Sequence, residues 1–366
     1  MHQIQVGNKV ISHEAPCFII VEAGVNHVLE KADLQRIGAT SPLDVAFKLV
    51  DAAKQAGADA VKFQSFTAEG LQFKGTKKPQ YQLATSGTDE QLSYYNMIKK
   101  LETTEEDQIK IAKYCEKKDI IFFSTPYDNE SVDFLHERIN VPLYKLASIE
   151  LRNHLFLRYV ASKGKPIVLS TGLGDIDDVK EVVSIARQEG FANRLIILQC
   201  TSNYPTLAKD INLNVIKTYQ KEFPDVLVGL SDHSPTYIAS IGAVAIGAVA
   251  LEKHFTLDKT FVGPDHLASL DPQELSEWVM AVREIEASMG SAKKIVTDVE
   301  KRNESMRKFL VMKPQKAGTT IKEDMLLAMR TGSGILPVDK NLKQILGKKL
   351  KDDVVELMPL EWNMIN

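Results

Sequence analysis

The sequence predicts a (β/α)₈ TIM barrel followed by a small β-rich C-terminal domain, and three observations carry that reading. Eight short runs of β-branched or aromatic residues recur up to residue 255, with helical patterns between them. Each of the eight ends in polar side chains. No G-x-G-x-x-G follows the first run, so a doubly wound dinucleotide fold lacks its signature. The glycine-containing "STGLGD" (170–175) comes after the fifth run and is too short for that role.

The strands are read at "CFIIVE" (17–22), "DAVKFQS" (59–65), "DIIFFST" (119–125) and "PLYKLAS" (142–148). Four more follow at "KPIVLST" (165–171), "RLIILQCT" (194–201), "VLVGLSD" (226–232) and "AVALEKHF" (248–255). Between them, "SPLDVAFKLVDAAKQAG" places Val45, Leu49 and Ala53 on one helical stripe. "TTEEDQIKIAKYCEKK" opens with a capping-box pattern, Thr103 then Glu106. "DVKEVVSIARQEG" stops at Gly190, and a last barrel helix covers 272–290. The expected domains are a barrel over 1–290, a charged linker over 291–305 and a C-terminal domain over 306–366. About 60 residues make only a small core, so this last domain is expected to lean on the barrel or on a partner chain.

Composition narrows the class. The chain has 366 residues, 44% hydrophobic and 25% charged, with a net charge of −3. That balance gives no electrostatic reason to expect nucleic acid or an anionic membrane as the main partner. The sequence shows neither an 18-residue apolar run nor a signal-peptide core at "MHQIQVGNKVISHEAP". Cys17, Cys115 and Cys200 are scattered among apolar neighbours and read as free thiols. A cytoplasmic protein is the expectation.

The polar strand ends are the functional signal. They are Glu22, then Lys62 with Gln64, then Thr125, then Lys145 with Ser148, then Ser170. Thr201 with Ser202, Asp232 with His233, and Glu252 with His254 complete the set. One serine or threonine after a strand is ordinarily a helix cap or turn former. In a (β/α)₈ barrel, however, all eight C-terminal ends converge on one mouth, where active sites lie. Eight polar ends together are a site. Lys62 and Gln64 share a strand face opposite Val61 and Phe63, which aims them inward if helices cover the apolar face. His233 and His254 end neighbouring strands and could together ligate a divalent ion such as Mn²⁺ or Zn²⁺. Lys62 and Lys145, with Ser148 and Ser170, could hold a phosphorylated or carboxylated anion. A pairing of Lys145 with a carboxylate such as Glu150 is the structural alternative. Glu252 shares the face of His254 and either orients a ligand or neutralises a buried lysine, whereas Lys253 points the other way.

These residues fall in motifs that resemble the bacterial sialic acid (N-acetylneuraminate) synthases and their legionaminate and pseudaminate relatives. The motifs are "VEAGVNH" (21–27), "GADAVKFQ" (57–64), "FFSTP" (122–126), "YKLAS" (144–148) and "GKPIVLSTG" (164–172). "CTSNYP" (200–205), "GLSDHS" (229–234), "EKHFTLDK" (252–259) and "GPDH" (263–266) follow in order. The last 60 or so residues, with "RTGSGI" (330–335), resemble the family's antifreeze-like (SAF) domain.

The resemblance implies condensation of phosphoenolpyruvate with an open-chain N-acetylated amino sugar, giving a nine-carbon 2-keto acid and phosphate. It implies that His233 and His254 bind a divalent metal, Mn²⁺ or Mg²⁺. Lys62, Thr125, Lys145, Ser148 and Ser170 would hold phosphoenolpyruvate. Glu22, Gln64, Ser202, Tyr204 and Asp265 would face the sugar, with Glu22 also a proton-transfer candidate. Arg330 would reach the N-acyl group from the other subunit of a domain-swapped homodimer. Ser202 stands where the N-acetylmannosamine enzymes often carry Asn, and Thr331 where Pro is usual. The insert at 29–41 is longer than the family's usual turn and is expected beside the mouth. A Schiff-base lysine aldolase on the same barrel is the competing enzyme reading.

Overall fold

A computed structural model describes residues 2–86, 88 and 92–366. The chain divides into two compact units, one running to Gly290 and the other covering Ser291–Asn366.

The first unit opens with a hairpin that sequence reading missed, β1 (Gln3–Val6) against β2 (Lys9–Ser12). Gly7 turns it in the left-handed region at φ +56, and its Ile4, Val6 and Ile11 join the main core. The eight barrel strands are all present. They are β3 (Phe18–Gly24), β4 (Ala60–Ser65), β5 (Ile121–Pro126), β6 (Tyr144–Leu146), β7 (Ile167–Ser170), β8 (Leu195–Cys200), β9 (Leu227–Asp232) and β10 (Ala250–His254).

All their ladders are parallel, in the order β5-β4-β3-β10-β9-β8-β7-β6, and β5 lies beside β6 to complete the ring. Parallel strands covered on both faces are largely apolar, and these buried runs are, except for charged and polar residues near their C-terminal ends such as Glu22, Lys62, Lys145 and Glu252. Register then sets the site. His254 lies opposite Glu22, and Glu22 opposite Lys62, so three strands bring these side chains into one row. Gly229 permits the close approach of β9 and β10, because a β-carbon there would collide with the carbonyl oxygen of Ala250.

The helices follow the patterns in the sequence, with one shift. α1 (Lys31–Arg36) precedes α2 (Pro42–Ala56), which starts on a Ser41 cap and buries Val45, Leu49 and Ala53. The next helices are α3 (Ala68–Leu71), α4 (Gln80–Ser86), α5 (Tyr94–Lys100) and α6 (Glu105–Lys117). The cap of α6 is Thr104, whose side chain accepts from the Asp107 amide, and not the expected Thr103. Thr103 is used elsewhere, with its hydroxyl 2.7 Å from His27 Nε2. The Pro272–Met289 helix buries Trp278 against the barrel on an Asp271 capping box.

The second unit holds an antiparallel sheet, with β11 (Phe309–Met312) between β12 (Leu326–Met329) and β13 (Met358–Pro359). Its separate core includes Leu310, Met312, Ile321, Ile345 and Leu360. The expected linker stretch 291–305 groups with this unit and carries one short helix, Asp298–Lys301. No helix among the described residues is long and apolar enough to cross a membrane.

Candidate active site

At the C-terminal ends of the barrel strands lies a cavity of about 460 Å³. Glu22, Lys62, Gln64, Thr125, Lys145, Ser148, Ser170, Ser202, Tyr204, His233, His254 and Asp265 line it, whereas the strand ends Thr201 and Asp232 do not, Asp232 accepting instead from Ser240 and facing Lys253. Arg330 belongs to the second unit, where it is exposed just beyond β12.

The floor of the cavity is a buried charge cluster. Lys62 Nζ stands 2.6 Å from Glu22 Oε2 and donates to Thr125 Oγ1 at 2.8 Å. Glu252 sits between the lysines, 3.8 Å from Lys62 and 3.5 Å from Lys145, and accepts from Ser231 Oγ at 3.0 Å. This resolves its role: Glu252 neutralises the buried lysines. The alternative partner for Lys145 fails, because Glu150 accepts instead from Asn153. Lys253 points the other way, its Nζ 3.3 Å from Asp232 Oδ2.

Burial and charge split the carboxylates. Burial lifts Glu22 to about 7, partly opposed by Lys62, and it lifts Asp265 to about 6. Burial also works to raise Glu252, but Lys145 and Lys62 hold it below the usual range. The Lys145 ammonium is pulled down by its burial. Two carboxyls in one site with pKa values pushed apart are suited to different proton duties.

Around this floor stand groups with unused hydrogen-bonding capacity. Ser170 Oγ is buried with no partner. Ser148 Oγ accepts from the Gly172 amide at 3.0 Å, and a β-carbon on Gly172 would collide with both Ser202 Oγ and Ser148 Oγ. Glycine is needed there by close approach. Cys200, flagged in the sequence only as a thiol, also lines the cavity, with its Sγ 3.8 Å from His233 Nδ1.

The two histidines stand with ring centroids 5.5 Å apart. His233 Nδ1 lies 2.8 Å from the Thr201 carbonyl, so that nitrogen carries the proton in the neutral ring and Nε2 keeps its lone pair. His254 is driven well below the ordinary histidine range by burial and then by His233 and Lys62. Its Nδ1 is buried without a hydrogen-bond partner. Two imidazoles, one oriented by a carbonyl and one carrying an orphaned nitrogen, fit a divalent cation. The described residues contain no cluster of three or more His, Cys, Asp or Glu at metal-binding spacing.

Sequence reading missed the roof. The chain leaves β4 and returns only at α6, and this long excursion, α3 to α5, brings Gln80, Tyr81, Gln82, Tyr94, Met97 and Ile98 into the cavity. Tyr81 packs on Tyr204 at 5.0 Å, and Tyr204 on His233 at 4.0 Å. The available signal was length, since most βα connections run only a few residues. None of the residues of the 29–41 insert, expected beside the mouth, lines the cavity. Arg36 bonds Asp258 at 2.7 Å and lies over Phe261, bracing the loop that leads to the lining residue Asp265.

Comparison with known proteins places this geometry. The chain is 38% identical over 369 residues to the N,N'-diacetyllegionaminic acid synthase of Legionella pneumophila, covering 98% of this chain and 97% of that one. It is 37% identical to the human N-acetylneuraminate-9-phosphate synthase, over 94% of this chain and 92% of the relative. A crystal structure of the N-acetylneuraminic acid synthetase of Leptospira borgpetersenii, in complex with citrate, superposes with a TM-score of 0.68 at 29% identity. That match covers 82% of this chain and 94% of the other. The model of the NeuB family matches residues 49–294. Barrel, buried lysine–carboxylate floor and relatives aligned from end to end agree: the chain is an enzyme that belongs to the NeuB family.

Proposed function

We propose that this enzyme condenses phosphoenolpyruvate with an open-chain N-acetylated amino sugar and water, releasing phosphate and a nine-carbon 2-keto sugar acid. One observation carries the reading: two buried lysines share Glu252 beneath a pair of imidazoles in a single cavity. The relatives named as legionaminic, pseudaminic and N-acetylneuraminate-9-phosphate synthases support the product class.

Phosphoenolpyruvate places its phosphate and carboxylate against Lys62, Lys145, Thr125 and the free hydroxyl of Ser170, with Ser148 beside them. Burial makes each charge–charge contact stronger than it would be in water. The π electrons of phosphoenolpyruvate form a bond from C3 to the aldehyde carbon, and the aldehyde oxygen gains a proton. Water adds at C2 and loses a proton. The C2–O bond to phosphate then breaks, and the C2 hydroxyl becomes the ketone as phosphate departs. Glu22, near 7, can give or take a proton close to neutrality and is assigned that transfer. Gln64 donates to Glu22 Oε1 at 3.0 Å and fixes it. Gln64, Ser202, Tyr204 and Asp265 face the sugar.

His233 and His254 would hold a divalent ion, Mn²⁺ or Mg²⁺, which when bound supplies Lewis-acid polarisation of the aldehyde. Arg330, in the C-terminal SAF-like unit, would reach the N-acyl group in the partner of a domain-swapped homodimer. The three free, buried thiols accord with a cytoplasmic setting.

Phosphoenolpyruvate carrying oxygen-18 in its bridging position tests the bond cleaved. The label emerges in phosphate if the reading holds, and label retained in the keto acid contradicts it. Because burial lowers Lys145, a Schiff-base aldolase has one observation in its favour. Borohydride trapping with pyruvate decides it, since a covalent lysine adduct would replace the condensation reading.

A further inference from the structure

The two imidazoles of the cavity come from neighbouring strands, yet the backbone ladder does not fix one against the other. The β9–β10 register runs Leu251–Leu230, Glu252–Ser231 and Lys253–Asp232, and among the described residues it stops there. His233 and His254 each lie one residue beyond it. His254 is still held on its other side, where it pairs with Glu22 of β3. His233 has already left β9, which ends at Asp232, and its ring is tied to the Thr201 carbonyl just past β8. What joins the two histidines lies behind them, away from the cavity.

Lys253 is 1% exposed and does not line the cavity. Its Nζ donates to the Ser234 carbonyl at 2.8 Å and to the Asp232 carbonyl at 3.3 Å, and stands 3.3 Å from Asp232 Oδ2. The ammonium's three N–H donors thus meet three oxygens. Those two carbonyls bracket His233, so the chain on either side of that histidine closes around a charge carried by the residue before His254. Asp232 is fixed in turn. Its Oδ1 accepts from the Ser234 amide at 2.9 Å and hydroxyl at 2.6 Å, and its Oδ2 from Ser240 at 2.7 Å, on the helix Ile238–Ala245. A buried ion pair adds little net stability over apolar residues of the same volume, because desolvation offsets the attraction. What this pair supplies is geometry: side chains continue the link between β9 and β10 where the ladder ends.

We propose that Lys253, together with Asp232, is a positioning residue for the two histidines, holding His233 against His254 in the arrangement that a divalent cation needs. Neither side chain faces the substrate cavity, and both act through the imidazoles. This rests on His233 and His254 holding a divalent ion, as proposed above. A site with only two protein ligands gains affinity from having them held in place before the ion arrives.

The test is Mn²⁺ binding to the full-length protein, read from the loss of the free-ion signal in electron paramagnetic resonance and so independent of turnover. The wild type should bind Mn²⁺, and His254→Ala should abolish that binding. Lys253→Met should weaken it about 10–100-fold. The double variant Lys253→Met with Asp232→Asn removes both charges together, so neither is left buried alone, and it should show the same loss. It carries the test if the single variant does not fold. Unchanged Mn²⁺ affinity in a folded variant, with only its urea midpoint lowered, makes the pair structural and overturns this inference alone. No Mn²⁺ binding by the wild type, or binding that survives His254→Ala, overturns the two-histidine metal site as well.

Discussion

The two ends of the same barrel strands hold charge in opposite ways. At the N-terminal end, Asp59 accepts from the Ile19 amide, from Lys9 at 2.8 Å and from Arg283 at 2.9 Å. Glu286 meets the same arginine and the Cys17 amide. The lysine and the arginine there are partly exposed, so water and hydrogen bonds satisfy the cluster. At the C-terminal end, Glu22, Lys62, Lys145 and Glu252 are almost wholly buried, and Ser170 Oγ, His254 Nδ1 and Gln82 Oε1 lack partners. One end is satisfied and the other is poised. A fold selected only for stability would fill or pair those groups, so the difference marks where binding a ligand completes the structure.

The sharpest way to break this comparison is Lys145→Met. Phosphate release at saturating phosphoenolpyruvate should fall by about 10²–10³-fold, with circular dichroism showing a folded protein. A folded variant that keeps its activity would make the upper cluster merely structural.

Next in size is the pH effect at Glu22. Its folded value, about 7, lies above its ordinary 4.5, so between these the folded state binds more protons than the unfolded chain. The contribution to stability is full below 4.5 and is lost as pH rises through about 7. Relative to Glu22→Gln, the wild type should therefore lose roughly 2–3 kcal/mol between pH 4.5 and 8 in urea melts. A pH-independent difference would show that Glu22 is not strained.

The opposite end should behave in reverse. Asp59→Asn is expected to cost about 2 kcal/mol of unfolding free energy while leaving kcat within about twofold. Loss of activity without loss of stability would erase the distinction between the ends. The smallest effect belongs to the insert. Arg36→Ala should cost under about 1 kcal/mol, because the arginine is half exposed, and should not shift the pH profile of turnover.

Much of the site was legible because barrel topology converts sequence position into place. Once eight strands are recognised, their C-terminal ends are known to share a common mouth, and alternation then decides which side chains there face it, as His233 does and Asp232 does not. Glu22, Lys62 and His254 thus met in one row without any contact being visible in advance. Register decided what alternation could not. Glu252 was known to share the face of His254, but its place between two lysines depends on how β10 aligns with β4 and β6 across the barrel.

The roof was illegible for a different reason. Tyr81, Gln82 and Met97 sit on short helices with no sustained period, and a helix of seven residues owes its existence to what it packs against. Thr104 displaced Thr103 as the cap of α6 because two adjacent threonines offer the same chemistry, and His27 takes the first. The 29–41 insert was expected beside the mouth, and what its position in the chain did not reveal is its partner, Asp258, in the loop that carries Asp265.

The central claim is that the unsatisfied upper end of the barrel is built for phosphoenolpyruvate and an amino sugar acting together. Phosphate release measured with each substrate alone, with both, and with both plus EDTA tests it most directly. The account predicts release only when both are present, and its loss on chelation with recovery on adding Mn²⁺ or Mg²⁺. Release from phosphoenolpyruvate without any sugar, or turnover indifferent to chelation, would contradict it.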